Sequence, residues 1–163
     1  METKGFFIKE ADFKVLEEKL SRLVRETDAR CGLVVDKSGY LILASGEFPS
    51  LSSEDVGVMS AGALSALGKM VDSRTDHITV HFHTPKLETV HFSVLTPQVF
   101  LVVVIQSPEG KELEKEEGVR DACRAFTRDA KPLLEKQEIV SGELGSLDFV
   151  NKKLDEMFHQ KEP

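Results

Sequence analysis

No stretch of this sequence is long and apolar enough to cross a bilayer. The longest apolar run, Val99 to Ile105, falls far short of the ~20 residues that a membrane helix needs. The opening residues Met1-Glu-Thr-Lys-Gly-Phe-Phe-Ile-Lys9 are broken by charges, so they form no extended apolar segment of an export signal. The expectation is a cytoplasmic chain. Cysteine is scarce. Cys31 and Cys123 sit within apolar patterns and read as small buried hydrophobes of a reducing compartment, not as a disulfide. Positive charge is in deficit as well, with a net charge of −7 and an isoelectric point near 5.3. We find no Lys/Arg stripe interleaved with aromatics to offset it. Such a balance repels a phosphate backbone and an anionic lipid surface, which argues against nucleic acid and membrane partners and leaves a basic protein patch open. Internal repeats and low-complexity tracts are also missing.

What remains is ordinary globular material, 40% hydrophobic and 30% charged over 163 residues, enough for one core. Phe13, Leu16, Leu20, Leu23 and Val24 fall on one helical face after Asp12 and predict a helix to about Thr27. Cys31 to Asp36 and Tyr40 to Ser45, separated by Lys37-Ser-Gly39, predict a β-hairpin. Ser52-Ser-Glu-Asp55 supplies a cap for a second helix running from about Ser53 to Asp72. His77 to His83 and Glu88 to Leu95 alternate as a second hairpin, with Val80, Phe82, Val90 and Phe92 on the apolar parity. The β-branched run Val99 to Ile105 predicts a strand covered on both faces. A charged loop, Glu109 to Glu117, leads to a third helix carrying Val119, Cys123, Phe126, Ala130 and Leu134, with Pro132 removing one of its hydrogen bonds. Ser141 to Gly145 reads as a linker, followed by amphipathic spacing at Leu147, Val150, Leu154, Met157 and Phe158. The result is an α/β (α+β) domain of order αββαβββα over residues 1–137, with a linker and short C-terminal helix over 138–163.

Catalytic motifs are not supported. Gly62-Ala-Leu-Ser-Ala-Leu-Gly68-Lys69-Met70 imitates a phosphate-binding loop, but its glycines are one residue too far apart. Met70 replaces the required hydroxyl, and the segment reads as mid-helix. His81, His83 and His91 share one sheet face with Thr89, where three imidazoles could hold zinc; no fourth ligand is evident, and a polar face meeting a helix or a second subunit serves as well. Glu112, Glu114, Glu116 and Glu117 read as solvated. No serine or cysteine has the setting of a nucleophile, and no cofactor is expected. The second helix is unusual in having Val56, Met59, Ala63, Leu67 and Met70 on one stripe and Gly57, Ala61, Ser65 and Gly68 on another. Two packing faces on one helix suggest contact with a second subunit or partner.

The element order, together with Ala29-Arg-Cys-Gly-Leu-Val-Val-Asp-Lys-Ser-Gly-Tyr-Leu-Ile-Leu-Ala-Ser-Gly46, resembles the Roadblock/dynein light chain family from about Phe13 to Leu134. The likeness extends to the small-residue helix Met59 to Gly68 and the run Val99 to Ile105. It implies a five-stranded, mostly antiparallel sheet between helices. It also implies a homodimer with the sheet continued across subunits and Gly57, Ala61, Gly68, His81 and His83 at the interface. For bacterial polarity regulators of the family it implies binding to a Ras-like small GTPase of the MglA kind, through Ala61, Ser65 and Lys69 and through Leu154 and Phe158 in the tail motif Lys153 to Phe158. The implied role is to stimulate GTP hydrolysis by repositioning the partner's own catalytic residues, with the tail aiding nucleotide exchange, in cell polarity or motility and at cell poles. A dimeric scaffold of the same fold, joining a GTPase or response-regulator protein to other partners, is the alternative, and a histidine-ligated zinc protein a remote one.

Overall fold

The structure, a computed structural model, describes residues 8–48, 52–71, 75–82, 88–106 and 112–141. Its elements run α1 (Glu10–Glu26), β1 (Cys31–Asp36), β2 (Leu41–Gly46), α2 (Ser53–Met70), β3 (His77–Phe82), β4 (Glu88–Val94), β5 (Val99–Gln106) and α3 (Glu112–Ser141). This is the αββαβββα order read from the sequence. The strands form one antiparallel sheet in the order β2-β1-β5-β4-β3.

The period-two alternation of the strands divides the core into two layers. Leu101, Val103 and Ile105 of β5 join Leu16, Leu20 and Leu23 of α1 and Cys123, Phe126 and Leu134 of α3 on one face. Phe100 and Val102 join Leu33 and Val35 of β1, Phe92 of β4 and Ala61 of α2 on the other. The middle strand β5 is therefore covered on both sides, as its unbroken apolar run requires. Gly32 lets α1 close on β1, since a Cβ there would stand 3.1 Å from Leu20 and Val24 side-chain carbons. At the β1–β2 turn Asp36 accepts the Ser38 amide at 2.6 Å on its side chain and the Gly39 amide at 2.9 Å on its carbonyl, while Gly39 takes φ +94°. Arg30 Nη1 meets Glu88 Oε1 at 2.6 Å, and Gln106 donates to the same oxygen at 3.2 Å, tying the ends of three strands together.

Several boundaries differ from expectation. α1 begins two residues before Asp12, and α2 stops at Met70 instead of Asp72. The charged run expected as a loop through Glu117 is helical from Glu112, and Glu116 is not fully solvated but faces His81 at 3.6 Å and Arg120 at 3.8 Å. Helix formers such as Glu, Leu and Lys extend α3 toward its N-terminus, because a charged run on one side of a helix still permits burial on the other. α3 continues through Pro132 to Ser141. The cysteines belong to different layers, Cys123 in the α1/α3 core and Cys31 in the α2 core, and both are free thiols. Burial pushes each thiol up to about 11, so neither is a ready nucleophile. Among the described residues no helix is long and apolar enough to cross a membrane.

Candidate protein-interaction surface

α2 opens as its sequence predicts. Ser52 Oγ accepts the Asp55 amide at 3.2 Å and donates to the Asp55 carboxylate at 2.8 Å, and Glu54 and Asp55 add negative charge at the positive end of the helix dipole. The helix lies over β1 and β2. Its inward side carries Gly57, Ser60 and Ala61, buried, with Val56, Leu64 and Leu67 partly buried beside them. A Cβ on Gly57 would stand 3.5 Å from the Gly39 carbonyl oxygen, so Gly57 marks a close approach of α2 to the β1–β2 turn.

The two expected stripes are thus regrouped. Gly57 and Ala61 rest on the chain's own sheet, whereas Ser65 and Lys69 are exposed on the outward side and Gly68 is exposed near the helix C-terminus on the heading of Gly57. That side also presents Val58 and Met59, each 61% exposed, and Met70 at 80%. Gly62 and Gly68 have nothing within 4 Å of where a Cβ would be. From Val58 to Met70 the outward side carries one charge, Lys69. A helix apolar on both sides is the pattern of an element covered on both sides, and exposed Val and Met side chains grouped on one helix suit contact with another surface.

The far edge of the sheet also carries apolar groups on its α2 side. β3 is an edge strand, and its α2-side residues Ile78 and Val80 are partly buried, with Phe82 48% exposed. An edge strand presents backbone groups that no neighbouring strand takes up, and is a template for pairing.

The opposite side of β3 and β4 is polar, as the parity predicted. His81 and Thr89 are register partners, as are Thr79 and His91. His83 lies outside the described residues, as do Leu154 and Phe158. This side meets α3 through Glu116. The histidine that sequence reasoning missed is His77, at the start of β3 on the parity of His81. Its Nδ1 lies 2.7 Å from Ser93 Oγ and its Nε2 3.1 Å from His91 Nδ1. Burial, then the charges of Arg120 and Arg124, push His77 down. Burial, then His77, His81 and Arg120, push His91 down to about 4. Both rings are therefore neutral near pH 7 and share one hydrogen bond. Among the described residues no group of three His, Cys, Asp or Glu side chains is placed to hold a metal ion.

Sequence reasoning also missed a basic stripe. Arg120, Arg124, Arg128 and Lys131 line a groove beside His77 and His81. Their i, i+4, i+8, i+11 spacing was legible, but without aromatics and within an acidic chain it did not register as a surface.

No family model matches the sequence, and no curated protein matches it at a significant level. Solved structures do resemble the fold. MglB of Myxococcus xanthus superposes with a TM-score of 0.62 at 19% identity, covering 78% of this chain and 99% of MglB. An MglB with a tetrameric arrangement gives 0.55 at 19% identity, covering 77% and 97%. A Roadblock/LC7 domain from Streptomyces avermitilis gives 0.57 at 13% identity, covering 73% and 97%. The fold of this chain is the Roadblock fold, shared with MglB.

Proposed function

We propose that this chain is a Roadblock-family regulator of a bacterial Ras-like small GTPase, similar in role to MglB, and that it works as a homodimer. The observation that carries the reading is the outward side of α2, which from Val58 to Met70 carries no charge but Lys69, on a fold shared with MglB. Two copies related by a two-fold axis would pair their β3 strands and bring the outward residues Val58, Met59 and Gly62 toward a common seam. MglB itself is recorded in a tetrameric arrangement. Ser65 and Lys69 would serve the partner contact, together with Leu154 and Phe158 from the tail, which would aid nucleotide exchange. Ala61 and Gly57, resting on the chain's own sheet, would set the height of α2 instead of touching the partner. His81, at the end of the edge strand, and His83 would flank the subunit seam.

The regulator contributes no reacting group in this reading. It binds one conformation of the GTPase more tightly than the other, and acceleration is limited to that difference in affinity. GTP turnover by a cognate MglA-like GTPase is expected to rise with added protein to a plateau. Binding without acceleration would select a dimeric scaffold of the same fold, and no binding would reject both. Cell polarity or motility is the corresponding cellular role, with enrichment at cell poles.

Self-association gives a separate check. Met59→Glu places a carboxylate in the proposed seam while changing only an exposed side chain of the isolated fold, and an unpaired charge buried at a contact is costly. Sedimentation should show the dimer dissociation constant raised by roughly two orders of magnitude, equivalent to about 3 kcal/mol. A variant as dimeric as the parent would place the interface elsewhere.

A further inference from the structure

A groove of about 1100 Å³ runs between α3 and the polar side of β3 and β4, on the opposite side of the sheet from α2. One wall is the stripe Arg120, Arg124, Arg128 and Lys131. Across it stand His77, Thr79 and His81, and Val94, Leu95 and Pro97 add an apolar portion. The four cations are set among three lining acids, Asp76, Glu116 and Glu135, but lie together along one wall, in a chain whose net charge is −7.

We propose that this groove is a docking site for an acidic, extended peptide segment of a partner protein. Three observations converge on that occupant. The stripe spans Arg120 to Lys131, about 16 Å along a helix rising ~1.5 Å per residue. That is longer than a single phosphate and equal to about five residues of extended chain at ~3.3 Å each.

The spacing also fits. Successive arginines are about 6 Å apart along the axis, and alternate side chains of an extended strand, which point to one side, are about 6.6 Å apart. A Glu-x-Glu-x-Glu segment would set one carboxylate against each guanidinium, with the charge-assisted geometry that arginine favours.

Finally, the stripe is available for exchange. Each cation now faces an acid on its own helix at 3.5 to 3.8 Å: Glu116, Asp121, Asp129 and Glu135. Such partly exposed pairs contribute little and can yield to a better-placed carboxylate. Glu116 and Glu135 also line the groove, at the two ends of the stripe, and Asp76 stands on the opposite wall, so an acidic segment is confined to the middle and held against the α3 wall. Burial lowers His77 most, and the charges of Arg120 and Arg124 across the groove lower it further.

The test uses the full chain and a fluorescein-labelled peptide, Glu-Ser-Glu-Ser-Glu-Ser-Glu, followed by anisotropy at low salt. Saturable binding that weakens as salt is added is expected, with no binding of the matching Lys-Ser peptide. Arg124 and Arg128 are largely solvent-exposed, so an Arg124→Glu/Arg128→Glu variant should keep its melting temperature and its self-association. It should lose at least roughly tenfold in peptide affinity. Undiminished binding by that variant, or absence of binding by the parent, would overturn the proposal. Equal occupancy by inorganic phosphate would reduce the groove to a simple anion site, and tighter binding of a single-stranded oligonucleotide would replace the peptide as its ligand. The groove and α2 lie on opposite faces, so the outcome is independent of the GTPase reading.

Discussion

Gly46→Ala is expected to cost roughly 3 kcal/mol or more of folding stability, one of the two largest single-site effects in this domain. Gly46 ends β2 with φ at +100°, outside the region open to other residues. It pairs with Cys31 across the β1–β2 ladder. A methyl group there would press on the Arg30 carbonyl oxygen and stand 2.7 Å from Cys31 Cα. Both are backbone atoms, and the Arg30 carbonyl already accepts the Glu47 amide at 2.8 Å. Relief therefore requires moving the end of the hairpin, which Arg30 also ties to Glu88. Gly62→Ala is the matching control: a Cβ meets nothing within 4 Å, and replacing a mid-helix glycine should gain about 0.5 to 1 kcal/mol. Urea unfolding of the two variants should move the midpoint in opposite directions. A Gly46→Ala variant as stable as the parent would contradict the register of this hairpin.

The element order was legible because each segment follows one period. The buried side of α1, the Ser52–Asp55 cap and the opposed parities of β3 and β4 all follow from local spacing. The phase of α2 was harder to read. Gly57, Ala61, Ser65 and Gly68 are small enough for either environment, so their spacing alone does not decide which of them meets the sheet. The decision comes from tertiary packing, where the β1–β2 turn leaves room for Gly57 but not for a large residue. His77 escaped notice for a similar reason. It opens its strand 14 residues from His91 in sequence, and only the β3–β4 register makes them neighbours. The N-terminal turns of α3 were obscured by charge, because Glu116 reads as a solvated residue until the fold places His81 opposite it.

His91 should make stability pH-dependent. The ring is 1% exposed and its folded pKa lies about 4, below the ordinary value near 6.5. The unfolded chain therefore takes up a proton before the folded chain does. Above about pH 6.5 this group exerts no penalty. As pH falls toward about 4 the unfolded state is progressively favoured, by about 3 kcal/mol in all. The first cause is burial, and beside it stands the contact between His77 Nε2 and His91 Nδ1 at 3.1 Å. One nitrogen must donate and the other accept, so protonating both rings breaks the link, and Arg120 nearby adds to the repulsion. His77 is shifted in the same direction and adds to the same window. Carboxylates also contribute to acid destabilisation, so the informative comparison is with His91→Phe, which keeps a ring in the site and removes the titration. Between pH 7.5 and 4.5 the parent should lose about 3 kcal/mol more than this variant in urea unfolding. Parallel pH profiles would mean that His91 is charged or solvated in the folded protein, contrary to its burial against His77 and α3.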